Sequence, residues 1–212
     1  VPIARRQDQL RPRKRPLQAR SQRTVEVVLR AAAQVFARRG YAGATTNHIA
    51  ERAGVSVGSL YEYFPSKDAI LVALMEAHMR EGEAVLARAA GEILGRELPL
   101  ADTIRHLVKA MVELHGQDRD LHRVLFEEAP LPRTLRALLT EMEARITDRV
   151  ELLLRSRPEV TVTDPTLAAA VVVKTVEALT HNLVVHGERD RHYDLDVYVE
   201  EIVRLVARYL TN

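Results

Sequence analysis

The sequence predicts an all-α protein of about nine helices, a short N-terminal helical domain followed by a larger C-terminal one. Apolar residues recur at three- and four-residue spacing through almost the whole chain. Glycines, prolines and helix-capping side chains separate these periodic stretches. Only 160–163 alternates like a strand, and four residues between helices read as a linker. The expected division is a basic flexible arm at 1–23, a first domain at 24–68 and a second at 69–212.

Residues 1–23 hold three prolines and little apolar content, the composition of a flexible arm. The first helix follows, with Val25, Val28, Leu29, Ala32 and Phe36 on one face and Gly40 closing it. Two short helices are expected within 45–64. Ser66 caps a long helix over 68–90, and Gly91, Gly95 and Pro99 mark the connection beyond it. Ile104, Leu107, Val108, Met111 and Leu114 stripe the next helix, which ends at Gly116. Asp120 introduces a short helix over 121–129, stopped by Pro130 and Pro132. A long helix reaching about Arg155 carries Leu135, Leu138, Leu139, Met142, Ile146 and Leu153. Asp164–Pro165 pairs an N-cap with proline at the first helical position and opens a helix to about 186–187. The last helix, near 196–210, carries Val199, Ile202, Val203, Val206, Tyr209 and Leu210.

Hydrophobic and charged contents of 47% and 28% are ordinary for a soluble globular chain. The absence of cysteine excludes disulfides, thiolate metal sites and cysteine nucleophiles. The basic N-terminal stretch is not followed by the apolar region of a secretory signal. The apolar run 167–173 is stopped by Lys174, well short of the ~20 residues of a membrane span. A soluble, cytoplasmic, nucleoid-associated chain with no membrane partner is therefore expected. Net charge is only +2, yet Val1 to Arg23 holds eight Lys/Arg against Asp8, a local +7 that leaves −5 elsewhere. A basic arm on a mildly acidic body suits a polyanion at one end of the molecule.

The most informative stretch is 45–64. Thr45 or Thr46 caps a short helix whose inward positions are Ile49, Ala50 and Ala53, and Gly54 supplies the left-handed residue that ends it. Ser56 caps a second short helix with Leu60 and Phe64 as its buried pair. Two short helices on a tight glycine turn make a helix-turn-helix, whose second helix fits the major groove of duplex DNA. Gly58 inside that helix costs ~1 kcal/mol relative to alanine, so its presence suggests close approach of backbone to phosphate. Thr45, Thr46, Tyr61, Tyr63 and Lys67 are the expected backbone contacts. Ser56, Val57 and Ser59 are left to face base edges, with Val57 suited only to a thymine methyl or to shape.

These residues resemble the tetracycline-repressor (TetR) family. Phe36, Gly40, Thr45–Thr46, Ile49–Ala50, Ala53–Gly54–Val55–Ser56, Gly58, Leu60–Tyr61, Tyr63–Phe64 and Lys67 stand at family spacing over 24–71 without a gap. Tyr63 stands where many members carry histidine, and Val57 where many carry lysine. The resemblance implies a three-helix DNA-binding domain, a homodimer and a palindromic operator. It further implies a C-terminal ligand pocket and a dimer interface built mainly from the last two helices. The expected mechanism is a repressor released from DNA by a small-molecule effector. The dimer helices are those near 166–185 and 197–210, rich in apolar surface and in small residues such as Ala168, Ala169, Ala170 and Ala178. Met111, Phe126, Leu138, Met142 and Thr175 are the candidate pocket lining. A non-sensing architectural or nucleoid protein on the same fold is the alternative.

Enzymatic readings are weaker. Gly54-Val55-Ser56-Val57-Gly58 matches G-x-S-x-G, but a nucleophile elbow needs a strand before the serine and a short helix is expected there. No H-E-x-x-H occurs, and His181 and His186, five apart, fit one helix face poorly. His106, His115 and His122 are candidates to meet in the core, while Glu127 and Glu128 are helix neighbours that point apart. No catalytic residue, metal site or cofactor is expected.

Overall fold

The computed structural model describes residues 19–93, 95–116, 118–190 and 194–212. The basic side chains of Arg5, Arg6, Arg11, Arg13, Lys14 and Arg15 therefore lie outside the described residues. The elements are α1 (Ala19–Gly43), α2 (Thr46–Ala53), α3 (Val57–Tyr63), α4 (Lys67–Ile93), α5 (Leu100–Gly116), α6 (Arg119–Arg123), a π-helical turn (Val124–Glu128), α7 (Arg133–Arg155), α8 (Pro165–Asp190) and α9 (Leu195–Thr211). No strand occurs among the described residues.

Local signals account for most helix ends. Gly40 takes φ +66° and breaks the regular part of α1. Ser66 caps α4 by accepting from the Ala69 amide at 3.1 Å. Asp164 accepts from the Leu167 amide at 3.1 Å ahead of Pro165, and Asp194 caps α9 through the amides of Asp196 and Val197. Four elements depart from expectation. Helix α1 starts at Ala19, so the last five residues of the expected arm are helical. Helices α4 and α8 run on to Ile93 and Asp190. The short helix expected over 121–129 is instead α6 plus a π turn, a register with one extra residue per hydrogen-bonded ring.

The chain forms two compact units. One runs through Arg80 and takes in Asp120–Leu131; the other comprises Glu81–Arg119 and Pro132–Asn212. The division falls inside α4 rather than at residue 68, because Ile70, Leu71 and Met75, all fully buried, belong with the N-terminal core.

In the first unit α1 packs on α2, α2 on α3, and the π turn on α1. Val28, Ala32, Phe36, Ile49, Ala50, Leu60 and Phe64 are all fully buried. Each large side chain there contributes about 1.5–3 kcal/mol of burial free energy. Glu128, at the end of the π turn, accepts from the Tyr41 amide at 3.4 Å and is ion-paired with Arg123.

In the second unit α5 packs against both α8 and α9, and α7 packs on α8. Leu100, Ile104, Val108, Leu154, Ala168, Ala169, Val199, Ile202, Val203, Val206 and Leu210 form its main core. Arg105 grips Glu200 with two hydrogen bonds of 2.6 and 2.9 Å and is also paired with Asp102, which ties α5 to α9. These contacts hold the Glu200 carboxylate below its ordinary range, Arg105 being the main cause. Arg157 donates to the Leu98 carbonyl at 2.7 Å and to Thr103 Oγ1 at 3.0 Å.

The unit also leaves large apolar side chains exposed: Leu138 and Leu152 on α7, Leu167 and Val171 on α8, Leu195, Val197, Leu205 and Tyr209 on α9. Pro165–Gly187 is long and apolar enough, by length and composition alone, to cross a membrane, with mean hydropathy 1.4. That corrects the expectation drawn from Lys174, since a single charge does not end such a stretch.

Candidate nucleic-acid interface

Residues 45–64 fold as the local chemistry dictates. Thr45, extended at φ −129° and ψ 158°, accepts the His48 amide at 3.2 Å and caps α2. Gly54 takes φ +67° and ψ 30°, and its amide closes onto the Ala50 and Glu51 carbonyls. The Val55 amide returns to the Ala50 carbonyl at 3.1 Å, which satisfies the last carbonyls of α2 in a tight reversal. Ser56 accepts the Ser59 amide at 3.0 Å and starts α3 within two residues of that turn. The Phe64 amide reaches the Leu60 carbonyl at 2.9 Å at its far end.

The inward face holds Ile49, Ala50, Leu60 and Phe64, and the outward face carries hydroxyls. Ser56 and Ser59 share a hydrogen bond of 2.9 Å, and Thr46 and Tyr61 share one of 3.1 Å that links α2 to α3. Val57 and Tyr61 are 38% and 40% exposed, Ser56 and Gly58 are exposed, and Tyr63 is half-buried. A Cβ built on Gly58 meets only Ser56 Oγ, at 3.8 Å, so nothing within the chain requires a glycine there. Arg52 Nε donates to Gln34 Oε1 at 2.7 Å and fastens α2 to α1.

Lys67 behaves differently from the simple phosphate contact expected of it. Its ammonium donates to the carbonyls of Tyr41 at 2.7 Å and Ala44 at 2.9 Å, and stands 4.1 Å from the centre of the Tyr41 ring. Two of its three donors thus secure the end of α1, leaving one for a ligand. Tyr41 in turn donates to Asp68. Burial, reinforced by that carboxylate, raises the Tyr41 phenol well above its ordinary range and keeps it a donor. Sequence reasoning missed this Tyr41–Lys67–Asp68 brace, because the partners lie 26 and 27 residues apart.

The hydrolase motif finds no support in the geometry. Helix α2 precedes Ser56, and the serine hydroxyl is taken up as a helix cap.

The five pocket candidates divide between the units. Phe126, in the π turn of the first, stacks with His122 and His78 at ring separations of 4.4 and 5.7 Å. In the second, Met111 packs beside Val85, Ala89, Ala110 and Leu114. Met142 and Thr175 are half-buried, while Leu138 is 37% exposed and belongs to the apolar surface just described. The three histidines expected to meet have different partners. His106 pairs with Glu92 at 2.9 Å, His115 lies 3.3 Å from Glu177, and His122 hydrogen-bonds His78 at 3.1 Å.

Two family descriptions match the chain: "Bacterial regulatory proteins, tetR family" over residues 28–74, and "Tetracyclin repressor-like, C-terminal domain" over 99–210. The regulator UidR of Escherichia coli is 25% identical over 175 residues, covering 82% of this chain and 86% of UidR. The transcriptional activator FasR of Mycolicibacterium smegmatis is 32% identical over 100 residues, 47% of this chain and 44% of FasR. The regulator LuxR of Vibrio harveyi is 32% identical over 119 residues, 55% of this chain and 54% of LuxR. The matched stretch thus spans about half the length of several curated relatives. Among solved structures, a tetR-family regulatory protein from Rhodococcus RHA1 superposes with a TM-score of 0.71 at 20% identity, over 88% of this chain and 96% of that one. The fatty acid degradation regulator FadR from Bacillus halodurans gives 0.67 at 21% identity, over 92% and 96%. These structural likenesses speak to the fold. With one family description covering more than half of the residues and the other spanning the helix-turn-helix, the chain belongs to the tetR family of bacterial regulatory proteins.

Proposed function

We propose that the protein is a transcriptional regulator that binds a palindromic DNA operator as a homodimer and is released by a small-molecule effector. The observation that carries this reading is the capped α2–Gly54–α3 reversal, which turns the hydroxyl-bearing face of α3 outward. Ser56, Val57 and Ser59 would meet base edges, while Thr45, Thr46, Gly58, Tyr61 and Tyr63 would meet the sugar-phosphate backbone. Lys67 contributes mainly by bracing α1. Two copies of α3 related by a two-fold axis engage half-sites about 34–36 Å apart.

The homodimer is supported by the exposed leucines and valines of α7, α8 and α9, and by the high hydropathy of Pro165–Gly187. An apolar surface of that kind on a regulator of this family is covered by a second copy more economically than by lipid. Effector release by ~100-fold requires the ligand to favour the released state by about 2.7 kcal/mol. Met111, Met142 and Thr175, all in the second unit, are the lining proposed for its site. The relatives include an activator, so a reporter driven by the operator fixes the sign of regulation.

Selection of duplexes from a randomised pool, followed by footprinting and sedimentation of the complex, tests this reading. An inverted repeat occupied by two chains is expected. Equal retention of all sequences at physiological salt would overturn it in favour of an architectural protein.

A further inference from the structure

Asp120–Leu131 belongs to the first unit, although the chain on either side of it belongs to the second. The segment is firmly anchored. Val124 and Leu125 are fully buried, and His122, 2% exposed, shares a hydrogen bond of 3.1 Å with His78 of α4. Phe126 stacks on both of those rings. Glu128 then stands against the end of α1 and accepts the Tyr41 amide at 3.4 Å.

The π register aims this carboxylate. The Ala129 amide returns to the Val124 carbonyl at 2.9 Å, closing a ring one residue wider than an α turn. Residues five apart stand about 140° round an ideal α-helix, where Arg123 and Glu128 would diverge. In the wider turn they are ion-paired, so Arg123 holds Glu128 in place. At the receiving end Gly40 takes φ +66° and ψ 171°, a region essentially confined to glycine. A regular helix would give the Tyr41 amide to a carbonyl four residues back; the break at Gly40 turns it towards Glu128 instead. A Cβ on Gly40 would lie 2.7 Å from Glu128 Oε2, so the carboxylate fills the space that any larger residue would need.

We propose that Glu128 is a positioning residue for DNA recognition, setting the bend at Gly40 and with it the first turn of α2; this rests on the operator reading above. The path is short. Tyr41 and Ala44, whose carbonyls hold Lys67, lead directly to Thr45, the cap of α2. Thr45 and Thr46 are the backbone contacts that a slackened bend displaces. The charge of Glu128 argues in the opposite direction, since a carboxylate repels phosphate and its removal should by itself tighten binding. Positioning and charge thus predict opposite signs.

The test compares full-length parent, Glu128→Ala and Glu128→Gln on a duplex that the parent selects from a random pool, at one fixed salt concentration. The two variants carry the same net charge, but glutamine keeps a neutral oxygen for the Tyr41 amide and alanine has none. Glu128→Ala should weaken binding about 10-fold, the size of one hydrogen bond to a charged group, and Glu128→Gln by no more than about threefold. Proton–nitrogen NMR of the Tyr41 amide supplies a reading free of DNA. Its resonance should shift and its exchange with solvent quicken in Glu128→Ala, with glutamine restoring most of both. Thermal melts show that each variant is folded at the assay temperature. Equal affinities for the two variants, an alanine variant that binds as tightly as the parent or tighter, or an unaltered Tyr41 amide overturns the proposal. If the parent selects no duplex, the operator reading falls and this inference with it; if it selects one that Glu128→Ala holds equally well, only this inference falls.

Discussion

Replacing Gly58 with alanine separates the demands of the fold from those of the interface. Glycine in a helix costs about 0.5–1 kcal/mol relative to alanine. Gly58 is the second residue of α3, so the lower figure, about 0.5 kcal/mol, applies. The new methyl meets only Ser56 Oγ at 3.8 Å, an ordinary contact, so no clash offsets that gain. For a chain of this size 1 kcal/mol shifts Tm by about 2–4 °C, so Gly58→Ala should raise Tm by about 1–2 °C. DNA affinity should move the other way. If the added methyl displaces one charge-assisted amide–phosphate hydrogen bond, the loss is about 1.5–3 kcal/mol, or roughly 10- to 150-fold. The assay pairs thermal unfolding of the free protein with fluorescence anisotropy on a duplex that the parent selects from a random pool. A variant with raised Tm and affinity within twofold of the parent refutes a close backbone approach at the start of α3.

Four further outcomes are expected. Deleting residues 1–18, which remove six Lys/Arg and one Asp, should flatten the dependence of log K on log salt by about 0.9 per lost phosphate contact; an unchanged slope shows that the arm does not touch DNA. Leu167→Glu, at a side chain 59% exposed on α8, should shift sedimentation at micromolar concentration from dimer to monomer, and an unaltered dimer places the interface elsewhere. Gly40→Ala should destabilise by about 1–3 kcal/mol because φ +66° with ψ 171° is a backbone region essentially confined to glycine, and adding Glu128→Ala should restore only the part due to the methyl standing 2.7 Å from Glu128 Oε2, as urea melts would show. Glu200, whose carboxylate is depressed in the folded state, contributes stability that is present above its unfolded value and lost as pH falls through the folded one. Acid titration of Tm below about pH 4.5 should therefore be shallower in Glu200→Gln than in the parent.

Features set by neighbours in the chain were legible from the residues alone. The Gly54 reversal, the Ser56, Ser66 and Asp164 caps and the burial of Leu60 and Phe64 all depend on residues within a few positions. Features set by distant partners were not. The start of α1 at Ala19 was hidden because the proline-rich composition before it dominates the stretch. The π register of Val124–Glu128 was hidden because periodicity over five residues does not distinguish it from an α turn. Lys67 reads as a surface cation until the carbonyls of Tyr41 and Ala44 are seen beneath it. A five-residue spacing places His181 and His186 about 140° apart on an ideal helix, and only side-chain reach brings their nitrogens near each other.

Division of labour on α3 has a consequence for how such a regulator changes its target. Ser56 is tied up in starting the helix, Ser59 shares its hydroxyl, and Leu60 is sunk in the interior. Val57 has neither a capping duty nor a place in the core, and exchanges at such surface positions usually cost within about 0.5 kcal/mol. A lineage can therefore rewrite that one letter without approaching the threshold at which the protein unfolds, and its preference for DNA is free to drift while its architecture stands still.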